Sequence, residues 1–490
     1  MIDVILKGHD YQHDLFELIR VFYPEREIRF IDHISPLEKS DYVIESILTN
    51  NINGIYSLTK VYYQGAIIKE HKEDINNIHK DLQGHKNRIK TGIKKGIYNV
   101  LIDLTDMKVP WGILTGIRPV KIAHWLMDNS LLANEILNIL KDEYKLSGDK
   151  AKLIYDIAFE QRKHIYPLNK DKYSLYIGIP FCPTRCNYCS FPAFKIKDNE
   201  HLINKYIDTL MYEIEQTRDF LSHKQLNTVY IGGGTPTSIK ISDLEKIIKS
   251  IKSNFKGPIK EFTVEAGRPD TINKDILRML KAYDIQRISI NPQSMNNKTL
   301  KAIGRNHDKD STIFAYNLAK NMDFDIINMD IILGLPGEGL EEVKNTLNEI
   351  KKLDPENLTV HTLALKRGSK LYNMGYNPIS RAMTEVEDML IETSKFANSM
   401  NLSAYYLYRQ KQILGNLENI GYSKQGMECV YNISMMEERE TIIGLGLGSV
   451  SKIYFPNNNR IERIPNFKDL KEYINRIDEL INRKRDLILI

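Results

Sequence analysis

The stretch Leu175-Tyr176-Ile177-Gly178-Ile179-Pro180-Phe181-Cys182-Pro183-Thr184-Arg185-Cys186-Asn187-Tyr188-Cys189 holds three of the chain's four cysteines within eight residues, directly after a short apolar run. Such a run reads as a buried strand, which places the cysteine loop at its carboxyl end. Three thiolates are one short of the usual complement of a four-iron cluster and leave one iron open. A structural zinc site needs four closed ligands, so Cys429 or a histidine would have to return from far along the chain. A disulfide would leave one cysteine of the triplet over. Four cysteines in 490 residues, with no secretory signal at the start, also imply a reducing compartment.

Outward from this loop, short apolar runs alternate with stretches of helical period from Leu175 to about Leu365, the pattern of repeated βα units on a parallel sheet and hence of an α/β fold. Six strands are expected: Leu175 to Pro180, Thr228 to Gly233, Glu261 to Ala266, Arg287 to Pro292, Ile326 to Gly334 and Leu358 to Leu363. Ile203, Ile207, Leu210, Ile214 and Leu221 line one face of the first connecting helix. The next opens with Ser242 and Glu245 in capping-box spacing. Ligands of such sheets bind at the carboxyl ends of the strands.

The length suits about three domains. The 68 basic and 63 acidic residues leave a net charge of +5, a mild excess that implies neither a nucleic-acid nor a membrane partner and is compatible with an anionic substrate. No stretch reaches the ~20 apolar residues of a membrane span, and a cytoplasmic protein is expected. Residues 1–165 mix strand-like runs, Val43 to Ile47 and Ser57 to Tyr63, with helices and read as an α+β domain of unknown role. The basic stretch His85, Lys86, Arg88, Lys90, Lys94 and Lys95 lacks interleaved aromatics and reads as a solvated helix face, so no nucleic acid is expected. In the tail, Thr384 to about Ser399 reads as a helix, and Leu470, Tyr473, Ile474, Ile477, Leu480 and Ile481 as a final amphipathic one.

Polar residues gather at the strand ends. Gly232-Gly233-Gly234-Thr235-Pro236 after the second strand is either a tight turn or a place where backbone approaches a ligand without a Cβ in the way. Glu265 ends the third strand, where it either meets a cationic ligand or pairs with Arg268 or Arg287. Gln293 and Arg305 follow the fourth strand. An amide suits ribose hydroxyls and a guanidinium a carboxylate, although either could be a surface residue. Asp330 breaks an otherwise apolar strand, which marks a site candidate.

The cysteine spacing resembles the radical SAM superfamily, in which the open iron binds S-adenosylmethionine. With Tyr176, Phe181, the Gly-Gly-Gly-Thr-Pro turn, Glu265, Gln293, Arg305 and Asp330, residues 170–455 resemble the oxygen-independent coproporphyrinogen III oxidase family. Three further segments point to its HemZ-type branch: Trp111 to Pro119, Tyr405 to Lys411, and Gly444-Leu445-Gly446-Leu447-Gly448-Ser449. The resemblance implies a partial (β/α)6 barrel over residues 166–380, with a mainly helical C-terminal extension, 381–490, covering the substrate. It implies a [4Fe-4S] cluster on Cys182, Cys186 and Cys189. Contacts to S-adenosylmethionine would come from Tyr176, Gly233, Gly234, Thr235, Glu265, Gln293, Arg305 and Asp330, with Tyr176, Glu265 and Arg305 in catalytic roles.

The implied reaction is oxygen-independent oxidative decarboxylation of coproporphyrinogen III to protoporphyrinogen IX in heme biosynthesis. A 5′-deoxyadenosyl radical takes hydrogen from a propionate β-carbon, and loss of carbon dioxide and one more electron leaves a vinyl group. A reducing donor such as flavodoxin or ferredoxin is implied too. Arg367, Arg409 and Lys411 are candidate clamps for the propionates. Two positions depart from the family pattern: Phe191 stands where the oxidases carry a further cysteine, as in the heme-chaperone branch, and Gly178 where they carry a histidine. The alternative is a heme-binding or heme-delivery protein, with His361 as an axial ligand.

Overall fold

The computed structural model describes residues 1–32, 41–52, 54–79, 84–255, 257–376, 383–411 and 413–488. The chain divides into two compact units, Met1–Phe159 and Glu160–Ile490.

The first unit is α+β. Its strands are β1 (Ile2–Lys7), β2 (Ile28–Phe30), β3 (Tyr42–Asn51), β4 (Gly54–Tyr63) and β5 (Ala66–Asp74), in the order β2-β1-β3-β4-β5. The expected strands Val43 to Ile47 and Ser57 to Tyr63 lie in β3 and β4. Helices α1 (Gln12–Phe22) and α2 (Gly84–Thr105) bury Leu15, Leu18, Ile19, Ile93 and Ile97 against Ile2, Val4 and Ile44. Helices α3 (Val120–Asp128), α4 (Ala133–Asp142) and α5 (Gly148–Ile165) follow, and the division between the units falls within α5.

The basic stretch departs from a solvated face at its end. Lys94 and Lys95 are buried, because their positions on α2 turn inward. The Lys95 ammonium meets Glu73 at 2.7 Å and Glu143 at 2.9 Å, and Lys94 donates to the Thr115 hydroxyl. Arg88 and Lys90 are half-buried, and the side chains of His85 and Lys86 lie outside the described residues.

The second unit carries the βα repeats. Strand β6 (Lys172–Ile179) leads through the short pair β7 (Phe181–Cys182) and β8 (Phe194–Lys195) to α6 (Ile196–Arg218). Then come β9 (Gln225–Gly233), α7 (Ile241–Asn254), β10 (Glu261–Val264), α8 (Lys274–Ala282), β11 (Arg287–Ser289), α9 (Asn297–Ala302) and α10 (Lys309–Lys320). Strand β12 (Ile326–Leu333), α11 (Leu340–Leu353) and β13 (Asn357–Thr362) complete six parallel strands, each within a few residues of its expected place. Parallel neighbours require crossovers, and the helices supply them. Val229, Ile231, Phe262, Val264 and Ile288 are fully buried, as strands covered on both faces demand. Helix α7 starts one residue before the expected cap, and Glu245 instead accepts from the Tyr283 hydroxyl and pairs with Lys249.

The C-terminal residues comprise α12 (Lys370–Asn373), α13 (Met383–Ser399), β14 (Ser403–Tyr408), β15 (Asn419–Ser423), α14 (Val430–Glu437), β16 (Thr441–Gly446), β17 (Val450–Phe455), β18 (Arg460–Pro465), α15 (Leu470–Asn475) and α16 (Ile477–Ile488). Helix α13 stands where expected, and the single final amphipathic helix expected is two, α15 and α16, broken at Arg476. Beside them, five strands extend the core sheet to eleven, in the order β14-β15-β13-β12-β11-β10-β9-β6-β16-β17-β18. Residues 381–490 thus share one compact unit with the barrel strands rather than forming a body of their own. No helix among the described residues is long and apolar enough to cross a membrane.

Candidate functional site

A cavity of about 390 Å³ opens at the carboxyl ends of the parallel strands, and each strand end lends it a polar group. The cysteine loop after β6 is its floor. Backbone bonds tether this loop on several sides: the Thr235 amide donates to Phe181 O and the Gly234 amide to Ile179 O, both at 2.8 Å, and the Asn187 amide donates to Ile303 O. Cys182, Cys186 and Cys189 all line the cavity as free thiols, Cys186 buried and the other two half-buried. Burial, with the neighbouring thiols adding to it, pushes the Cys182 thiol up to about 11. A coordinated metal acts in the opposite sense, since a ligating thiol gives up its proton.

The glycine turn packs directly on this loop. A Cβ on Gly234 would lie 2.6 Å from Phe181 O and 3.0 Å from Cys182 Sγ, and one on Gly232 would lie 2.8 Å from Glu265 Oε2. Gly233 adopts φ +113°, closed to side-chain-bearing residues. The Thr235 hydroxyl stands 3.5 Å from Cys182 Sγ.

Glu265 pairs with neither arginine considered for it. Arg268 holds Asp270 and Thr184, and Arg287 holds Glu261 and Asn357. Glu265 instead accepts from the Tyr230 hydroxyl at 2.6 Å and the Gly233 amide at 3.2 Å. Desolvation outweighs these bonds and, with the nearby Asp330 charge, raises the carboxyl to about 7. Asp330 accepts from Asn328 Nδ2 at 2.7 Å and faces His361 Nε2 at 3.7 Å. Gln293, at φ +68°, donates its backbone N–H to Asp330 O. Arg305 donates to the Tyr188 hydroxyl at 2.7 Å and to Gly267 O at 3.3 Å.

Gly233, Gly234, Thr235, Glu265, Gln293, Arg305 and Asp330 therefore line one cavity with the three cysteines. Tyr176 does not line the cavity. Its ring stacks on Tyr230 and Tyr431 at 6.2 Å each, and Tyr230 presents the aromatic face instead. Tyr188, Tyr230 and Asn291 line the cavity as well. Strand alternation is the sequence signal that places Tyr230, on the same face of β9 as Gly232.

The expected propionate clamps are placed differently. Arg409 is buried and donates to the Asn416 and Leu417 carbonyls, closing a turn rather than facing the cavity. Neither Arg367 nor Lys411 lines the cavity, whereas Lys366 does. Phe191 lines it too, and Gly178 leaves little room for the histidine absent there, since a Cβ would stand 3.0 Å from Leu447 O.

The Radical SAM superfamily pattern matches residues 176–350. Over 477 residues the chain is 39% identical to the oxygen-independent coproporphyrinogen-III oxidase-like protein HemZ of Bacillus subtilis (strain 168), covering 96% of this chain and 94% of that protein. The chain belongs to the HemZ-type branch of the oxygen-independent coproporphyrinogen III oxidase family. The heme chaperone HemW of Bacillus subtilis is 28% identical to this HemZ-type chain over 278 residues, 56% of this chain and 70% of that one. Among solved structures, the coproporphyrinogen III oxidase of Escherichia coli shares the fold, with a TM-score of 0.53 at 22% identity over 66% of this chain and 72% of that one.

A [4Fe-4S] cluster and S-adenosylmethionine are the cofactors of this superfamily. The donor set of the HemZ-type chain fits both: three free thiols share one loop, and the buried Asn291 Oδ1 and Arg305 Nε of the cavity lining lack hydrogen-bond partners.

Proposed function

We propose that the protein oxidatively decarboxylates two propionate side chains of coproporphyrinogen III, giving protoporphyrinogen IX, with one S-adenosylmethionine consumed and one electron passed to an electron acceptor for each carbon dioxide lost, and that Cys182, Cys186 and Cys189 hold the cluster. One observation carries the reading. The three thiols open into the same cavity as Glu265, Gln293, Arg305 and Asp330, and that cavity continues to Tyr406, Tyr408, Asn432 and Met436 from β14 and α14. When bound, the cluster and S-adenosylmethionine supply a single electron and a carbon radical. The chain's own residues bind and orient. Glu265 suits the cationic end of the cofactor, Arg305 a carboxylate, and Gln293 the ribose hydroxyls. Tyr406 and Tyr408 add an aromatic wall that keeps water from the reacting carbon.

The heme-delivery alternative draws on the HemW likeness and needs a free axial histidine. His361 Nδ1 lies 3.2 Å from the Tyr408 hydroxyl, and Nε2 stands 3.7 Å from Asp330, beyond hydrogen-bond reach. The oxidase reading is preferred because the thiols, the polar strand-end residues and the aromatic pair Tyr406 and Tyr408 line one cavity. Anaerobically reconstituted protein is to be incubated with excess S-adenosylmethionine, a flavodoxin or ferredoxin reductant, a one-electron acceptor and coproporphyrinogen III, followed by mass analysis of the tetrapyrrole. Loss of two carboxyl groups supports the oxidase. Unchanged substrate together with tight stoichiometric heme binding supports delivery.

Glu265 gives this site a pH dependence. Its carboxyl is raised to about 7, so lowering the pH through neutrality protonates the group proposed to face the cofactor's ammonium. S-adenosylmethionine affinity is expected to weaken by up to roughly tenfold per pH unit below that point. In Glu265→Gln it should be weak throughout and flat with pH. Equilibrium binding between pH 5.5 and 8.5 checks both expectations.

A further inference from the structure

Outside this cavity, the last turn of α5 and the segment before α14 bring Glu160, His164 and Glu428 together, with one donor atom from each within 4.8 Å of the others. Glu160 and His164 are four apart on the helix and so share a face. Glu428 is almost fully buried, at 3% exposure, and its Oε2 lies 3.5 Å from His164 Nε2. Its other oxygen accepts from the Gly426 amide.

That arrangement is costly as it stands. His164 Nε2 is buried without a hydrogen-bond partner, although two carboxylates approach it. A cation at the shared point would satisfy all three groups. We infer that Glu160, His164 and Glu428 form a divalent transition-metal site, of the zinc class, separate from the cysteine cluster.

The geometry supports the assignment. Zinc bonds of about 2.0–2.1 Å to nitrogen and oxygen place tetrahedral donors about 3.3–3.4 Å apart, close to the 3.5 Å found between His164 and Glu428. Glu160 is the most exposed of the three and pairs otherwise with Lys163 on its own helix, so a side-chain rotation brings it to the metal. One imidazole with two carboxylates suits zinc better than magnesium, which prefers oxygen ligands alone. Three protein donors leave a position for water.

The metal would fix the entry to α14. Directly after Glu428, the Cys429 thiol and the Val430 and Tyr431 amides donate to the Glu261 carboxylate. Tyr431 then stacks on Tyr230 at 4.6 Å, and Asn432 and Met436 reach the cavity.

The test uses the cluster-loaded full chain, dialysed to equilibrium against zinc and analysed for zinc and iron together. The wild type is expected to retain a single zinc ion beside its iron. His164→Ala and Glu428→Gln should lose the zinc and keep the iron. Glu160→Gln, on the most exposed ligand, should lose zinc while melting as the zinc-free wild type does, which covers the chance that the buried variants misfold. A wild type without zinc, or zinc held equally by His164→Ala and Glu160→Gln, overturns the site. The iron count reports on the cysteine assignment independently.

Discussion

Replacing Cys186 by alanine is expected to abolish cluster assembly and, with it, all deoxyadenosine formation from S-adenosylmethionine, while leaving the chain folded. Two thiols cannot hold the cluster that three hold with one iron open. Cys186 is the most buried of the triplet and sits at the turn where the Cys189 amide donates to the Cys186 carbonyl. The loop's other tethers, the Asn187 amide to Ile303 O and the Leu371 amide to Asn187 O, run through backbone and survive the substitution. Loss of iron, sulfide and cofactor cleavage with an unchanged circular dichroism spectrum is the expected set of results. Cofactor cleavage by Cys186→Ala would show that the ligands are misassigned.

The largest stability effect is expected at Lys484. Its side chain is fully buried in α16, where the ammonium pairs with the equally buried Glu213 of α6 at 2.5 Å and donates to Gly444 O. Glu213 also accepts from the Tyr473 hydroxyl, the Gly446 amide and Asn466 Nδ2, so one carboxylate joins α6, α15 and the β16 glycine segment. Lys484→Ala leaves that carboxylate buried without its counter-charge and should cost about 3–5 kcal/mol. A double replacement, Glu213→Gln with Lys484→Met, should recover part of the loss, because no charge is left buried and unpaired while the amide oxygen still accepts from the network. Urea denaturation of both variants against the wild type measures this. A loss below about 1 kcal/mol for Lys484→Ala would contradict the network's role.

Lys484 also shows where sequence legibility ended. It lies on the same helical stripe as Ile477, Leu480 and Ile481, yet a lysine there reads as the edge of an apolar face, since its partner is 271 residues away. The six parallel strands were legible for the opposite reason: strands buried on both faces are continuous apolar runs whose signal is local. Strand β15, Asn-Ile-Gly-Tyr-Ser, and β16, interrupted by Gly444 and Gly446, carry no such run. They are strands because β13 and β6 offer them an edge.

The site divides in the same way. Glu265, Gln293, Arg305 and Asp330 stood out because a charge or amide at the end of an apolar strand has few structural reasons to be there. Tyr188 and Asn291 carry no such signal and Tyr230 only the alternation of β9, since residues at home in strands and loops alike take their part from neighbours on other strands. Tyr176 lies one residue layer away, where its register partner Tyr230 lines the cavity.

The central claim is a cluster held by three thiolates with its fourth iron available to the cofactor, and the most direct measurement is the spin-resonance spectrum of anoxically purified, reduced protein before and after S-adenosylmethionine is added, with iron and sulfide counted on the same sample. About four irons and four sulfides per chain, with a spectrum that changes when the cofactor binds, is the expected result. Protein without acid-labile sulfide, carrying zinc that disappears in Cys186→Ala, would contradict it.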